Sequence, residues 1–171
     1  MTSNVGDTEI TARLEDHERR ITRLEGLLQG KKGRPAKQET LDTANRMRPL
    51  AEAARLQEDQ VKNVFDFSGE DIRLIAPIEG KDEREKQLKA TLCILTAHHY
   101  CYDKDEMRSR DLREKLQWLG IKSLSNLSGN LGTFKQFLLP RGKAGSPEFQ
   151  YKITFPGLKR GLQVIAELAT A

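Results

Sequence analysis

The chain has 171 residues, of which 37% are hydrophobic and 32% charged, so its apolar residues are too few to fill one compact domain of that length. No run approaches the roughly 18 apolar residues of a membrane span, and the first ten residues lack the charged-then-apolar order of a signal peptide. We therefore expect a soluble, cytoplasmic protein with no membrane contact, built of modules joined by exposed segments.

The net charge of +4 is unevenly distributed along the chain. Residues 31–37 contain 4 Lys or Arg and no acid, and residues 108–171 contain 11 Lys or Arg against 4 Asp or Glu, a net charge of +7. Residues 66–107 have the opposite balance, with 6 basic and 10 acidic residues. Because phosphate neutralisation dominates affinity for nucleic acids, the two basic segments predict contact with a polyanion.

The first predicted element is a coiled-coil oligomerisation helix over residues 8–29. Its seam positions recur with the 4-3-4-3-4 spacing of a heptad repeat and are Ile10, Leu14, His17, Ile21, Leu24 and Leu28. Parallel pairing sets Arg13 and Arg20 of one chain opposite glutamates of the other, so we expect a parallel homodimer or a higher homo-oligomer. His17 is interpreted as a polar seam residue that fixes the register, not as a metal ligand.

Residues 30–39 are predicted to be a basic linker without a stable helix. Its core, Gly33-Arg34-Pro35, lies between lysines and resembles an AT-hook, a short motif that binds the narrow minor groove of A·T-rich DNA. The resemblance implies minor-groove contacts by Lys31, Lys32, Arg34 and Lys37. An ordinary basic linker is the alternative.

Residues 40–80 are predicted to form a small helical and β-hairpin element. Apolar residues at helical spacing cover 40–65, where Pro49 is expected to start a new helix or to kink the first. The stretch from Leu50 to Val61 resembles a helix-turn-helix that lacks the usual Gly in its turn, and the net charge of −1 over 38–65 favours a packing or dimerisation element. Two apolar runs at 64–67 and 72–78 flank a polar turn and predict a hairpin.

The C-terminal domain is predicted to cover residues 81–171 and to begin with a helix over 82–102. One face of this helix is expected to be apolar and to cover the back of the following helices. That face consists of Leu88, Leu92, Leu95 and His99.

Cysteines and histidines in the same helix raise the question of a zinc site. Cys93 and His98 lie about 140° apart on an α-helix, so only His98 and Cys101 share a face. No second ligand pair is present elsewhere in the sequence. We therefore expect buried thiols and imidazoles, with no disulfide, no metal and no cofactor.

The strongest pattern lies in residues 108–168. Leucines at 112, 116 and 119 predict a helix that starts at Ser109 and ends at Gly120. Ser123 or Ser125 is then expected to cap a second helix that runs through Phe137. The buried stripe of this second helix is predicted to be Leu124, Leu127, Leu131 and Phe134.

Polar side chains occupy the other faces of the second predicted helix. Asn and Gln amides suit adenine edges, whereas Ser, Thr and Lys suit phosphate oxygens. The outward residues are predicted to be Ser125, Asn126, Ser128, Asn130, Thr133, Lys135 and Gln136. Gly129 and Gly132 would permit close approach either to a DNA backbone or to a neighbouring helix.

A hairpin and a final helix are predicted after the second helix. The loop 141–147 is basic and rich in Gly and Pro, and residues 149–153 alternate apolar and polar side chains. Thr154 and Pro156 then predict the start of a helix that packs back on the domain through Leu158, Leu162, Ile165 and Leu168. The whole chain is predicted to be mainly α with a small β-hairpin wing, an α+β protein.

Residues 82–171 resemble the winged helix-turn-helix superfamily of prokaryotic DNA-binding proteins. The resemblance implies that residues 126–136 enter the major groove and that the hairpin acts as a wing on phosphate or the minor groove. It implies wing contacts by Arg141, Lys143 and Lys152, and flanking backbone contacts by Arg110 and Lys122.

The function predicted from the sequence is sequence-selective binding of double-stranded DNA by a non-enzymatic, nucleoid-associated transcriptional regulator. It is expected to need no cofactor and to be joined to a second copy by the coil. No phosphate-binding loop or catalytic motif is present in the sequence. Two alternatives stay open. One is a protein-interaction adaptor that uses the winged fold and the coil, and the other is an architectural DNA binder of nucleoid or segregation type.

Overall fold

The computed structural model of the protein describes residues 36–67 and 71–171. The predictions for the coiled coil at 8–29 and for Lys31, Lys32 and Arg34 fall outside the described residues, as does the side chain of Lys37. Residues 40–171 form one compact unit.

Two helices open the described chain, α1 (Ala36–Ala54) and α2 (Glu58–Val64). The predicted linker 30–39 was wrong at its C-terminal end, because residues 36–39 are helical. These residues, Ala, Lys, Gln and Glu, all have high helix propensity. Pro49 lies inside α1 and does not start a new helix.

The turn between α1 and α2 contains no glycine, although a residue with positive φ is needed there. Arg55 adopts a positive φ of 57°, the left-handed conformation that a glycine usually takes at the end of a helix. Met47, Leu50, Val61 and Val64 from the two helices are fully buried. The two helices therefore pack into the core, as expected of a packing element, and the dimerisation alternative stays a prediction.

A short hairpin follows, formed by β1 (Phe65–Asp66) and β2 (Arg73–Leu74). The strands are antiparallel, with Phe65 opposite Leu74. This confirms the predicted hairpin, although each strand has only two residues.

The remaining elements are α3 (Glu83–Tyr102), β3 (Glu106–Arg108), α4 (Ser109–Trp118), a 3-10 turn (Leu124–Asn126), α5 (Leu127–Gly132), β4 (Leu138–Arg141), β5 (Gln150–Ile153) and α6 (Phe155–Ala169). The second sheet is antiparallel and has the strand order β3-β5-β4. Two side chains set the starts of the long helices: Glu85 N donates to Asp82 at 2.8 Å, and Gly157 N donates to Thr154 at 3.1 Å.

α3 is the central helix of the compact unit. The three leucines of its predicted apolar face are buried, and burial extends around the helix, since every residue from Gln87 to His98 except Lys89 is buried. The other elements surround it: α4, α5 and α6 pack against it together with β2, β3 and β5. Small residues such as Ala90 and Ala97 let these neighbours approach on all sides.

A single hydrophobic cluster extends from Met47 in α1 to Ile165 in α6. The predicted division at residue 80 does not separate two cores, because the first hairpin packs on α3 through Leu74. The chain is α-rich with small antiparallel sheets, which confirms the α+β class. No helix in the described residues is long and apolar enough to cross a membrane.

Candidate nucleic-acid interface

The pair of helices α4 and α5 is the element on which most of the predicted contacts depend. α4 covers the predicted span, buries Leu112 and Leu116 completely, and is followed by Gly120 with a φ of 73°. The left-handed conformation at Gly120 lets the chain leave the helix sharply. The first predicted helix and its stop are therefore confirmed.

The second helix is much shorter than predicted. A 3-10 turn covers 124–126 and α5 ends at Gly132, so residues 133–137 form turns and not helix. Neither predicted serine caps it, since Ser123 has a φ of 57° and makes no side-chain capping bond, and the N-cap of α5 is Asn126. Two glycines in six residues weaken the helix by about 1 kcal/mol each relative to Ala, which accounts for its early end.

The apolar stripe of this segment is confirmed. Leu127 and Leu131 are 0% and 1% exposed, and the flanking Leu124 and Phe134 are partly buried against the same core. This stripe holds α5 against α3.

Gln87 of α3 fixes the turn that leads into α5, and no sequence prediction singled it out. Its side chain is fully buried, and its Nε2 donates to the carbonyl oxygens of Lys122 at 3.0 Å and Ser123 at 3.3 Å. Its Oε1 accepts a bond from Asn130 Nδ2 at 2.9 Å. The sequence did contain a signal for this role, because Gln87 lies at helical spacing from Thr91 and His98, which are also buried polar residues.

Asn130 was predicted to point outward, and this was wrong. Asn130 is half-buried, and its amide is hydrogen-bonded to Gln87 of α3. Its Oδ1 also accepts a bond from Asn126 Nδ2 at 3.4 Å. Asn130 therefore has a structural role in joining α5 to α3.

The other predicted residues of this segment remain accessible to a ligand. Ser128 is half-buried, and the exposed members are Ser125, Asn126, Thr133, Lys135 and Gln136. Thr133 Oγ1 donates to the carbonyl oxygen of Asn130 at 2.8 Å and so closes the C-terminal end of α5.

The predicted basic hairpin is formed by β4 and β5, with Arg141 opposite Gln150. Gly142 and Gly145 have φ angles of 85° and 86°, which the tight loop requires. Arg141 and Lys143 are exposed, and Arg141 lies 3.5 Å from Glu106 of β3.

Lys152 does not belong to the exposed tip of the hairpin. It lies on the central strand of the sheet and pairs with Asp105 at 2.7 Å. The hydrogen bond from Lys152 holds the pKa of Asp105 below its usual value. Lys152 is therefore engaged in a partly exposed ion pair, and its predicted contact with DNA stays a prediction.

The two predicted flanking cations lie near the start of α4 and in the turn between α4 and α5. Arg110 at the start of α4 is exposed, as is Lys122 in the turn before α5, and Arg110 pairs with Glu114 at 3.3 Å. Exposed pairs of this kind are weak and compete poorly with a phosphate. Arg113, which was not predicted, donates from Nη1 to the carbonyl oxygen of Leu124 and anchors the 3-10 turn.

The cysteines and histidines of α3 are part of its packing. Burial raises the pKa of Cys93 far above its usual range and that of Cys101 to about 12. Burial, reinforced by Lys115, lowers the pKa of His98 to about 4. Within 36–67 and 71–171, no group of three or more His, Cys, Asp and Glu residues is arranged to hold a metal ion.

Comparison with protein-family models, with curated proteins and with solved structures finds no match for this chain.

Proposed function

We propose that the chain is a winged helix-turn-helix protein that binds double-stranded DNA with sequence selectivity, as a dimeric transcriptional regulator. The observation that carries the proposal is the order of elements from α3 to β5. A helix, a short strand, two helices joined by a turn and a hairpin, with the first strand pairing to the second strand of the hairpin, is the order of a winged helix-turn-helix.

In this proposal α5 is the recognition element and the β4–β5 hairpin is the wing. The exposed polar side chains at the start of α5 and after its end would face base edges and phosphates. The exposed cations around them would supply the electrostatic attraction, and they are Arg110, Lys122, Lys135, Arg141 and Lys143.

The dimeric part of the proposal depends on the heptad pattern of residues 10–28, and the minor-groove contact depends on the Gly-Arg-Pro segment. Two linked binding domains gain affinity when both engage one duplex. The proposal therefore includes a two-fold related pair of half-sites in the DNA.

The double variant Arg141→Ala/Lys143→Ala tests the wing. Each lost phosphate contact should reduce the slope of log affinity against log salt by about 0.9, so the double variant should lose about 2 and bind all duplexes more weakly. The control is Lys62→Ala/Lys159→Ala, which removes the same charge from exposed sites on α2 and α6. Equal slopes for the two double variants and the wild type would contradict the wing contact.

A protein-interaction adaptor is the second candidate function, and one surface favours it. Trp118 at the end of α4 is 58% exposed, Ile75 beside β2 is 43% exposed, and the Arg73 guanidinium lies 5.9 Å from the Trp118 ring centroid. Exposed Trp and Arg side chains are enriched at protein interfaces. This candidate predicts no salt-dependent binding of the full chain to random duplex DNA, whereas the DNA-binding proposal predicts binding that weakens as salt rises.

A further inference from the structure

Three side-chain amides connect the buried centre of the compact unit to the exposed start of α5. They belong to Gln87, Asn130 and Asn126, and we call them the amide relay. The bond between Gln87 and Asn130 is 2.9 Å long, and the bond between Asn126 and Asn130 is 3.4 Å long. Gln87 is 0% exposed, whereas Asn126 is exposed.

The orientation of the relay is set at its buried end. Gln87 Nε2 faces two backbone carbonyl oxygens, those of Lys122 and Ser123. Exchanging the nitrogen and oxygen of Gln87 would set its carbonyl oxygen against two other carbonyl oxygens, which is repulsive in a buried site. Its Oε1 must therefore face Asn130.

Each amide then fixes the next one. Asn130 must donate from Nδ2 to Gln87, which leaves Asn130 Oδ1 as the acceptor for Asn126 Nδ2. Asn126 retains its Oδ1 and one N–H for a ligand, and its Oδ1 has no hydrogen-bond partner among the residues that the structure describes. The exposed amide thus presents an acceptor and a donor in a defined orientation.

Gly129 provides the space in which the Asn126 side chain lies. A methyl group added at Gly129 would be 2.5 Å from Asn126 Oδ1, so the amide would have to move away. A methyl group added at Gly132, in the same helix, would have no atom within 4 Å among the described residues outside its own helix backbone and chain neighbours. The two glycines therefore form a matched pair for a test, since both substitutions raise helix propensity and only one displaces Asn126.

We infer that Asn126 is a base-reading residue for adenine, and that Gln87 and Asn130 are positioning residues that hold its amide in the reading orientation. This inference rests on the proposed DNA-binding function. An amide that presents Oδ1 and one N–H matches the N6 amino group and the N7 acceptor of adenine in the major groove. Guanine presents acceptors at both of these places, so a fixed Oδ1 disfavours it.

The test is selection of bound sequences from a duplex library with a randomised centre, performed with the full chain. The wild type and Gly132→Ala should both select adenine at one position of each half-site. Asn126→Ala should reduce the preference for adenine over guanine at that position about 5-fold to 150-fold, which is the range for one bidentate contact. Gly129→Ala should reduce it at least about 5-fold without lowering the melting temperature of the protein.

Gln87→Met tests the buried end of the relay. It should relax the same position while the slope of log affinity against log salt stays at the wild-type value, because no phosphate contact is lost. If Gln87→Met does not fold, the comparison of adenine selection by Gly129→Ala and Gly132→Ala still tests whether the position of the Asn126 amide determines the preference for adenine. Unchanged adenine selection in Gly129→Ala or in Asn126→Ala would overturn this inference and leave the proposed function intact. Failure of the wild type to bind any duplex of the library at low salt would overturn both.

Discussion

Replacing Gly161 with Ala tests the packing of α6 on α3 most sharply. A methyl group at this position would be 2.0 Å from Thr96 Oγ1 and 3.0 Å from the Leu92 carbonyl oxygen. Ordinary van der Waals contact begins at 3.4 Å, so Thr96 would have to move by more than 1 Å or the helices would have to separate. Thr96 is 0% exposed and has little room for such a shift.

The expected cost follows from two opposing effects. Overpacking a well-packed core typically costs about 1 to 3 kcal/mol, and replacing Gly by Ala inside a helix returns about 1 kcal/mol. Because one of the two clashes is with the backbone, we expect the upper part of the range for the first effect. The free energy of unfolding should therefore fall by about 2 kcal/mol.

The assay is urea unfolding followed by circular dichroism, with Thr96→Ala as the partner variant. Thr96 Oγ1 has no hydrogen-bond partner among the residues that the structure describes, so Thr96→Ala leaves no polar group unpaired. By itself it should cost only about 1 kcal/mol, for the lost methyl group. In the Thr96→Ala background the cost of Gly161→Ala should fall by about 1 kcal/mol, and a double-mutant cycle measures this coupling. A Gly161→Ala variant as stable as the wild type, or costs that simply add, would refute the close crossing.

Three further predictions concern single residues. The pKa of His98 falls from 6.5 to about 4 on folding, so between these pH values the unfolded chain binds more protons than the folded chain. The free energy of unfolding should therefore be at its full value above pH 6.5 and should fall by about 3 kcal/mol towards pH 4. In urea titrations at several pH values, His98→Gln should remove this pH-dependent loss. Gly132→Ala should raise the free energy of unfolding by about 0.5 to 1 kcal/mol, since its methyl group would clash with none of the described residues. A thermal scan that shows destabilisation would contradict this. Lys152→Ala should lower the salt slope of DNA binding less than Lys143→Ala does, because Lys152 is paired with Asp105 at 2.7 Å; an equal reduction would show that this pair opens on DNA.

Local patterns in the sequence predicted most of the elements in the C-terminal part of the chain. Gly120 as a helix stop, Thr154 as a helix start and the hairpin around 141–149 all depend on residues close to one another in sequence. Each of these features is determined by the backbone conformation of a few neighbouring residues. For that reason these predictions needed no knowledge of the tertiary structure.

Predictions that depended on distant partners were less accurate. Asn130 was predicted to point outward because it is polar, and its partner, Gln87, is 43 residues away in the sequence. The ion pair between Lys152 and Asp105 was missed because Asp105 reaches Lys152 only through the pairing of β3 with β5. The all-round burial of α3 had a local signal, since no charged residue occurs between Ala90 and Ala97.

Binding of the full chain to DNA is the central claim, and one titration tests it directly. Fluorescence anisotropy would follow binding to a duplex obtained by library selection and to a scrambled duplex of the same composition, each over a range of salt concentrations. The proposal predicts about 1,000-fold tighter binding to the selected duplex at physiological salt, and affinity for both that falls linearly with the logarithm of salt. Equal affinity for the two duplexes would contradict sequence selectivity, and no binding to either at low salt would contradict the DNA-binding function itself.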